Sequence, residues 1–448
     1  MVKDLTEGKP LKLILMFSLP ILLGCLFQQF YSMADTIIVG KCIGVQALAA
    51  VGSTGSLNFL ILGFATGICS GLSIPISQYF GAKDFDRVRQ CAANSLYVVA
   101  AVTLFLTAIT MLFTRQILEL MQTPSDIFEG AYNYIIVIFA GMGVTLLYNL
   151  LSGILRALGD SKTPLYFLVI SSLLNIVLDL LFIQVIGMNV EGAAYATVIS
   201  QAVSALLCLF YIIWKFPILR LHRQDWTFNW GHIYRMLGIG IPMGLQFSIT
   251  AVGSIILQSA VNTLGSGAVA AISAASRVQM ILTQPLETLG VTSATFSGQN
   301  LGALKLRRIQ TGIRQTIWVG LAYSVVGFFI GHFAGQQLAL LFLDASETTI
   351  LQQVELFLFI NGLAFPLLSV LLIYRNALQG LGFAVPAMAA GLFELIGRAL
   401  VAFCLVGVFG FPAVCLANPA AWIAADILLI PVYFIAINRL RHTYPSKD

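Results

Sequence analysis

Acidic side chains interrupt the long apolar segments of this chain at five positions, Asp35, Asp179, Glu287, Glu394 and Asp426. A charged side chain at the centre of a lipid bilayer costs at least about 2.5–3.5 kcal/mol on insertion scales, so each is a candidate for a functional role. A carboxylate among apolar groups can bind a cation or carry a proton. The sequence therefore predicts cation or proton chemistry inside a membrane, with no cofactor.

Asp35 and Asp179 are expected at a similar depth in the membrane. Counting from Leu11 at about 1.5 Å per residue puts Asp35 about 36 Å along the first apolar segment, in its outer half. The same count puts Asp179 about 22 Å beyond Pro164, which is also the outer half. The two carboxylates could therefore converge.

Three neutral polar residues are expected beside these carboxylates. Asn175 precedes Asp179 by four residues and Tyr31 precedes Asp35 by four, so each pair shares one face of a helix. Thr197 lies near the same level on a segment that enters from outside. The five side chains form a candidate ion-coupling site, although Asp35 could be an inert carboxylate at a helix end and Asn175–Asp179 a purely structural polar pair.

The remaining acidic residues allow two interpretations. Glu394 and Arg398 are four residues apart, about 12 and 18 Å beyond Pro386, and are expected to form a structural ion pair. Glu287 and Asp426 could each meet a cationic substrate or make structural polar contacts. Arg277 is a less certain member of the set of charges inside the membrane.

The composition indicates that the chain resides in a membrane. Hydrophobic residues make up 58% and charged residues 10%, against about 25% charged residues in soluble domains. The net charge of +5 comes from basic residues spread over short loops, which argues against a nucleic-acid partner. The seven cysteines show no CxxC spacing and the four histidines no HxxH pair, so neither a metal site nor the usual motifs of soluble enzymes are expected.

An internal repeat organises the sequence. Residues 78–83 (Gln-Tyr-Phe-Gly-Ala-Lys) return as residues 299–304 (Gln-Asn-Leu-Gly-Ala-Leu). Pro20 and Pro242 are 222 residues apart, and so are Pro164 and Pro386. The sequence therefore contains two copies of one membrane module, and such internal duplication is typical of secondary transporters.

Twelve membrane-spanning helices are predicted, at residues 11–40, 46–79, 91–113, 131–156, 164–186, 191–214, 233–262, 267–298, 309–333, 350–379, 386–408 and 413–437. The polar stretch 215–231 is interpreted as a cytoplasmic linker between an amino-terminal lobe, 1–214, and a carboxy-terminal lobe, 232–448. Prolines inside the spans predict kinks at Pro20, Pro75, Pro242, Pro285 and Pro366. Pro20 is the expected hinge.

Basic residues predict the orientation. They concentrate near both termini, in the linker and after the even-numbered spans, whereas the opposite side holds only Lys41 and Arg115. The termini and the linker are therefore expected in the cytoplasm. Lys3 and Lys447 contribute to this count. Because each half has an even number of spans, the predicted fold is all-α and integral to the cell membrane, with two six-helix bundles related by a pseudo-two-fold axis along the membrane normal.

Several segments together resemble the multidrug and toxic compound extrusion (MATE) family of cation antiporters, within it the prokaryotic DinF-like branch. They are Leu19-Pro20 with Gln28-Gln29 and residues 33–40 (Met-Ala-Asp-Thr-Ile-Ile-Val-Gly), residues 78–82, residues 156–164 (Arg-Ala-Leu-Gly-Asp-Ser-Lys-Thr-Pro), residues 175–179 (Asn-Ile-Val-Leu-Asp) and residues 191–197 (Glu-Gly-Ala-Ala-Tyr-Ala-Thr). The resemblance covers essentially the whole chain.

The resemblance implies two bundles forming a V around a central cavity, and export of organic, often cationic compounds in exchange for protons or sodium ions. It also implies that Tyr31, Asp35, Asn175, Asp179 and Thr197 line the cavity of the amino-terminal lobe. We add Gln28, Gln29, Glu287 and Asp426 as candidate cavity residues. A monomer is expected by analogy.

A proton-coupled exporter of organic cations working by alternating access is the function that we predict. A proton from outside would neutralise Asp35, loosen its hold on a cation and let the first helix bend near Pro20. Sodium is the alternative ion, bound by the oxygens of Asp35, Asn175, Asp179 and Thr197. A carboxy-lobe sodium site of the NorM-like kind is disfavoured because the seventh span has no acidic residue.

Two other classes of function are weaker. A flippase for lipid-linked saccharides would need a cationic cavity, and only Arg277, Arg375 and Arg398 could supply one. A membrane enzyme would need clustered catalytic side chains, which the sequence lacks. Shifting Asp35 by one repeat lands on Leu257, so the titratable site is expected in the first lobe alone.

Overall fold

The computed structural model of the chain describes residues 4–340 and 347–444. Lys3 and Lys447, which entered the orientation argument, lie outside these ranges. Within them the secondary structure is entirely helical. The predicted all-α class is therefore confirmed.

The α-helices of the described ranges are α1 (Pro10–Cys42), α2 (Val45–Ser53), α3 (Gly55–Gly81), α4 (Phe85–Leu120), α5 (Phe128–Ala140), α6 (Met142–Ala157), α7 (Lys162–Leu180), α8 (Val190–Lys215), α9 (Trp230–Asn262), α10 (Ser266–Gly302), α11 (Leu306–Ala339), α12 (Thr348–Leu363), α13 (Phe365–Gly380), α14 (Ala384–Leu400), α15 (Val406–Phe409) and α16 (Phe411–Thr443). Two π-helical segments, Leu181–Val185 and Val401–Leu405, extend α7 and α14, and a 3-10 turn covers Pro217–Leu219.

The helices account for twelve transmembrane segments, as predicted. Nine helical segments of the described chain are long and apolar enough to cross a membrane, and the bent pairs α5–α6 and α12–α13 raise the number to eleven. The twelfth is α10, whose 37 residues are rich in Ser, Thr, Gly and Gln and include Arg277 and Glu287. Its lower apolar content fits a helix whose carboxy-terminal part is buried inside the protein, and residues 292–300 are all buried.

Breaks in the helices only partly follow the prolines. The bend of 53° between α12 and α13 falls beside Pro366, at a predicted kink. Pro20, Pro75, Pro242 and Pro285 lie inside helices that are assigned without a break. A further bend of 48°, between α5 and α6, has no proline and centres on Gly141.

The contacts divide the chain into two compact units at positions that match the repeat. The first unit is built mainly from Leu23–Gly244, and the second from Leu5–Leu22 with the chain from Leu245 onward. Leu22 and Gly244 are 222 residues apart, each two residues after the proline of its helix. The predicted lobes 1–214 and 232–448 differ from these units at α1 and α9, because the first part of each helix packs with the other repeat.

In the second unit, the segment before α1 is held by the end of α10 and the start of α11. The Leu5 amide donates to Gln299 Oε1 (2.9 Å), and Asn300 Nδ2 donates to the Leu5 carbonyl (3.2 Å). Arg308 donates to the carbonyls of Gly8 (2.6 Å) and Leu5 (3.1 Å). Beneath them Phe17 and Phe296 belong to one buried cluster.

The first unit repeats this arrangement with the segment that enters α9. Arg235 donates to Gln78 Oε1 (2.6 Å) and to the Tyr79 hydroxyl (2.9 Å). The Asn229 backbone N–H donates to Asn94 Oδ1 (3.0 Å). In addition α9 lies directly on α3, since a Cβ on Gly67 would lie 2.7 Å from the Cα of Gly244. Small residues at such a crossing let helix backbones approach in a membrane.

Candidate functional site

Asp35 on α1 and Asp179 on α7 come together inside the first unit, where their carboxyl groups lie close enough to share a hydrogen bond. The Asp179 side chain is fully buried. Within the described part of the chain, Oδ1 of each carboxyl is buried without a hydrogen-bond partner. Two carboxylates in contact cannot both carry full charge in an apolar site without a neutralising proton or cation. The geometry is thus suited to holding one positive charge between the two carboxyl groups.

Asn175 connects this pair to α8. With its amide nitrogen facing Asp179, Nδ2 donates to Asp179 Oδ2 at 2.9 Å and the amide oxygen accepts from the Thr197 backbone N–H at 3.1 Å. In this orientation Asp179 Oδ2 and the Thr197 N–H each have a hydrogen-bond partner. Asn175 therefore fixes Asp179 relative to α8.

Tyr31 closes the site from α1. Its hydroxyl lies 3.5 Å from the Thr197 hydroxyl. Tyr31 and Asp35 are one helical turn apart, so both side chains reach the same neighbours. The structure therefore brings all five predicted residues of the ion-coupling site together.

The local sequence explains how α7 presents Asn175 and Asp179. The Asp160 side chain accepts from the Thr163 backbone N–H (3.1 Å), which caps the start of α7, and Pro164 fits the first turn. From there the helix runs without a break to Asp179. A fixed start therefore sets the rotational position of both side chains.

Two features of the site were not predicted. Tyr134 on α5 is buried and lies close enough to Asp35, Tyr31 and Asp179 for electrostatic interaction. The π-helical segment Leu181–Val185 begins directly after the Asp179 turn, and such segments are frequent at functional sites. No sequence motif marks Tyr134. The π-helical segment does have a counterpart, since a second one begins 220 residues later, at Val401, and the π-helical turn is therefore part of the internal repeat.

Polar contacts continue along α8 beyond the site. Gln201 follows Thr197 by one turn and accepts from the Thr145 hydroxyl. Asn149 donates to the Thr145 carbonyl (3.0 Å) and to the Thr66 hydroxyl (3.5 Å). These contacts link α3, α6 and α8, and no sequence pattern singled them out.

The second unit contains its own buried charges. Glu394 lies 3.3 Å from Arg398 Nη2, the predicted partner, and 2.9 Å from Arg375 Nη1, which was not expected there. Asp426 is buried, and in the described chain neither of its carboxylate oxygens has a hydrogen-bond partner. Glu287 is exposed and close enough to Arg375 and Glu394 to interact electrostatically. The carboxyls of this unit are thus grouped around two guanidinium groups.

The other predicted cavity residues lie on α1. Gln28 is exposed, Gln29 is half-buried, and Gln28 precedes Asp35 by two helical turns. Pro20 lies inside α1, two residues before the boundary between the compact units. Among the described residues, no group of three or more His, Cys, Asp or Glu side chains could hold a metal ion.

The twelve-span helical fold with carboxyl groups buried inside it defines a polytopic membrane transporter. The MatE family model matches the chain twice, over residues 20–181 and 242–404. The chain belongs to this family, and each match covers one copy of the repeat. The resemblance found in the sequence is thereby confirmed at the level of the family, whereas its DinF-like branch stays a prediction.

Similar proteins are transporters with related names. The probable multidrug resistance protein YoeA of Bacillus subtilis is 32% identical over 74% of this chain and 73% of its own length. The probable multidrug resistance protein NorM of Thermotoga maritima is 26% identical over 93% of this chain and 89% of its own. A protein of Shewanella oneidensis named FAD transporter is 23% identical over 86% and 85%.

Solved structures agree with the fold over almost the full length. The outward-facing conformation of a multidrug resistance MATE family transporter of the MOP superfamily gives a TM-score of 0.92, with 25% identity and 98% of each chain covered. A crystal structure of MATE in complex with MaL6 gives 0.91, with 24% identity, 98% of this chain and 99% of the other. The twelve-helix transporter fold is therefore shared.

Proposed function

We propose that this protein exports organic cations across the cell membrane in exchange for protons, with Asp35 and Asp179 as the coupling pair. The observation that carries the proposal is the contact between these two carboxyl groups inside one unit. The pair holds a single positive charge, either a proton or the charge of a bound cation. Because the proton and the organic cation compete for this pair, the entry of protons is coupled to the export of the cation.

The coupling step needs no chemistry beyond proton transfer. A proton that enters from outside neutralises the pair and releases the cation. Loss of the proton to the inside restores a negative charge that attracts the next substrate. Each unit of pH difference supplies about 1.4 kcal/mol per proton. Pro20 is the proposed hinge at which α1 responds to this change.

Sodium stays the alternative ion. A hard cation prefers oxygen ligands, and the site offers Oδ1 of Asp35 and of Asp179 together with the hydroxyls of Tyr31 and Thr197. The Asn175 oxygen already accepts from the Thr197 backbone N–H, so only its second lone pair is left for an ion. This favours the proton.

Organic cations are favoured over anionic substrates because the site in the first unit is acidic. FAD, which a relative is named for transporting, carries a negatively charged pyrophosphate. Lipid-linked saccharides carry the same group. Either would have to bind elsewhere, at Arg277, Arg375 or Arg398.

Efflux from inverted vesicles tests the proposal. Fluorescent organic cations, FAD and a labelled lipid-linked saccharide are offered in turn under an imposed proton or sodium gradient. We expect transport of cations driven by the pH gradient, and its loss in Asp35→Asn and Asp179→Asn. Normal pH-driven transport in both variants would disprove the role of the pair, and transport driven by sodium alone would replace the proton.

The proposed orientation and oligomeric state are tested separately. We propose that both termini and the linker 215–231 face the cytoplasm and that the protein acts as a monomer. Labelling of single cysteines by a membrane-impermeant maleimide in intact cells should fail at Arg223→Cys and succeed at Glu129→Cys. Light scattering of the purified protein should give the mass of one chain.

A further inference from the structure

A cavity of about 530 Å³ lies within the first unit between α4, α6 and α8. Its walls are apolar and include Leu96 from α4, Leu151 from α6 and Leu209 from α8. The volume is in the range of small-molecule sites, about 300–1,000 Å³. Its lining residues include none of the five residues of the ion-coupling site in the described chain. The cavity is therefore a separate feature that transport does not explain.

The cavity adjoins a helix face that is apolar and exposed. Ile213 lines the cavity and is 57% exposed. Phe210 and Leu206, earlier on the same helix, are 73% and 62% exposed. In a membrane protein such a face contacts lipid tails. An acyl chain can thus move from the bilayer into the cavity without crossing water.

A basic residue and an aromatic residue mark the mouth of the cavity. Arg220 and Trp226, both in the linker, belong to its lining. Tyr97 donates to the Trp226 carbonyl (3.1 Å), and the two rings pack edge to face at 5.9 Å. Trp and Tyr are enriched where the membrane meets water, so this end of the cavity lies at the level of the lipid headgroups. No acidic side chain of the described residues pairs with Arg220.

The linker is held in place over the cavity. The Asp225 carboxylate accepts from the His222 backbone N–H (2.7 Å) and lies 3.3 Å from Arg89 Nε on α4. This buried carboxylate fixes the turn that carries Arg220 and Trp226. The site is therefore formed in advance and does not need a ligand to order it.

We propose that this cavity binds one acyl chain of an anionic phospholipid, with the lipid phosphate on Arg220. The apolar walls match the chain, the exposed face of α8 supplies a route from the bilayer, and the unpaired guanidinium matches the phosphate. A guanidinium binds phosphate through two parallel hydrogen bonds. An organic cation fits less well, because the charge at the mouth would repel it.

Photolabelling of the purified full-length protein tests the proposal. A phosphatidylglycerol with a diazirine on its acyl chain is incorporated, and the labelled peptides are identified by mass spectrometry. We expect labels within residues 147–154 and 209–213. Arg220→Glu should lower the labelling about tenfold or more, because the reversal removes the attraction for the lipid phosphate and adds a repulsion. Leu151→Trp should lower it by filling the cavity.

Matched controls separate this site from general attraction to lipid. Arg439→Glu makes the same charge change at an exposed residue of the second unit, and Leu392→Trp adds the same ring at an exposed apolar residue of that unit; both should leave the labelling unchanged. Inorganic phosphate should not compete, because the acyl chain supplies most of the binding. Equal labelling by phosphatidylcholine, unchanged labelling in Arg220→Glu, or displacement by a transported cation would each overturn the proposal.

Discussion

Arg375 Nη1 lies 2.9 Å from Glu394 Oε1, while Arg398 Nη2 lies 3.3 Å from the other oxygen of the same carboxylate. One glutamate therefore pairs with two guanidinium groups, and all three side chains are largely buried. The spacing of Glu394 and Arg398 on one helix indicates only a pair. Arg375 joins because α13 packs against α14.

Removing the shared carboxylate should destabilise the protein strongly. Glu394→Gln leaves two buried guanidinium groups without the carboxylate that pairs directly with both, and breaking a buried ion pair costs about 3–5 kcal/mol. Thermal unfolding of the purified protein in detergent measures the effect. Glu129→Gln breaks the exposed Arg115–Glu129 pair (3.1 Å) and should change the stability by about 1 kcal/mol or less. Equal effects of the two variants would contradict the proposed network.

Coupling should depend on Asn175 as well as on the carboxyl pair. Asn175→Leu removes the donor to Asp179 and the acceptor of the Thr197 N–H, so Asp179 is no longer held beside Asp35. We expect efflux that no longer responds to the pH gradient, while substrate binding persists. Asn149→Leu is the control, because Asn149 bonds to Thr145 and Thr66 instead. An unchanged pH response in Asn175→Leu would show that the amide is dispensable.

The segment before α1 should become mobile when Arg308, which binds its carbonyl groups, is replaced. Arg308→Ala deletes the bonds to the carbonyls of Gly8 and Leu5. Hydrogen exchange of residues 5–9 should then accelerate, and each lost charge-assisted bond is worth about 1.5–3 kcal/mol. Arg87 occupies the equivalent position of the first repeat but pairs with Asp84, so Arg87→Ala should leave the exchange of residues 5–9 unchanged. Unaltered exchange in Arg308→Ala would mean that Gln299 and Asn300 suffice.

The crossing of α3 and α9 should tolerate no side chain at Gly67. A Cβ there would meet backbone atoms of Gly244 and the Met243 carbonyl at 2.7–2.8 Å, so the two helices would have to move apart. Gly67→Ala should lower the melting temperature in detergent by several degrees, corresponding to about 1–3 kcal/mol. Gly238→Ala, on α9 with open space around it, is the matched control and should be neutral or slightly stabilising. A neutral Gly67→Ala would show that the crossing is loose.

The amino-acid sequence by itself determined the membrane class, the number of spans and the repeat, because these depend on the local run of apolar residues and on a fixed period. It also indicated Asp35 and Asp179, since an acidic residue in an apolar segment is visible without knowing its neighbours. The i, i+4 spacing also predicted that Asn175 lies beside Asp179 and Tyr31 beside Asp35, because residues four apart share one face of a helix.

Contacts between distant segments were decided only by the tertiary structure. Tyr134 approaches the carboxyl pair from another helix, and Arg375 reaches Glu394 across a helix boundary. The first parts of α1 and α9 each pack with the other repeat. The compact units therefore differ from the lobes that were predicted on either side of the linker. Such contacts depend on how helices rotate and cross, and in a membrane small residues and polar groups set that packing rather than the hydrophobic pattern.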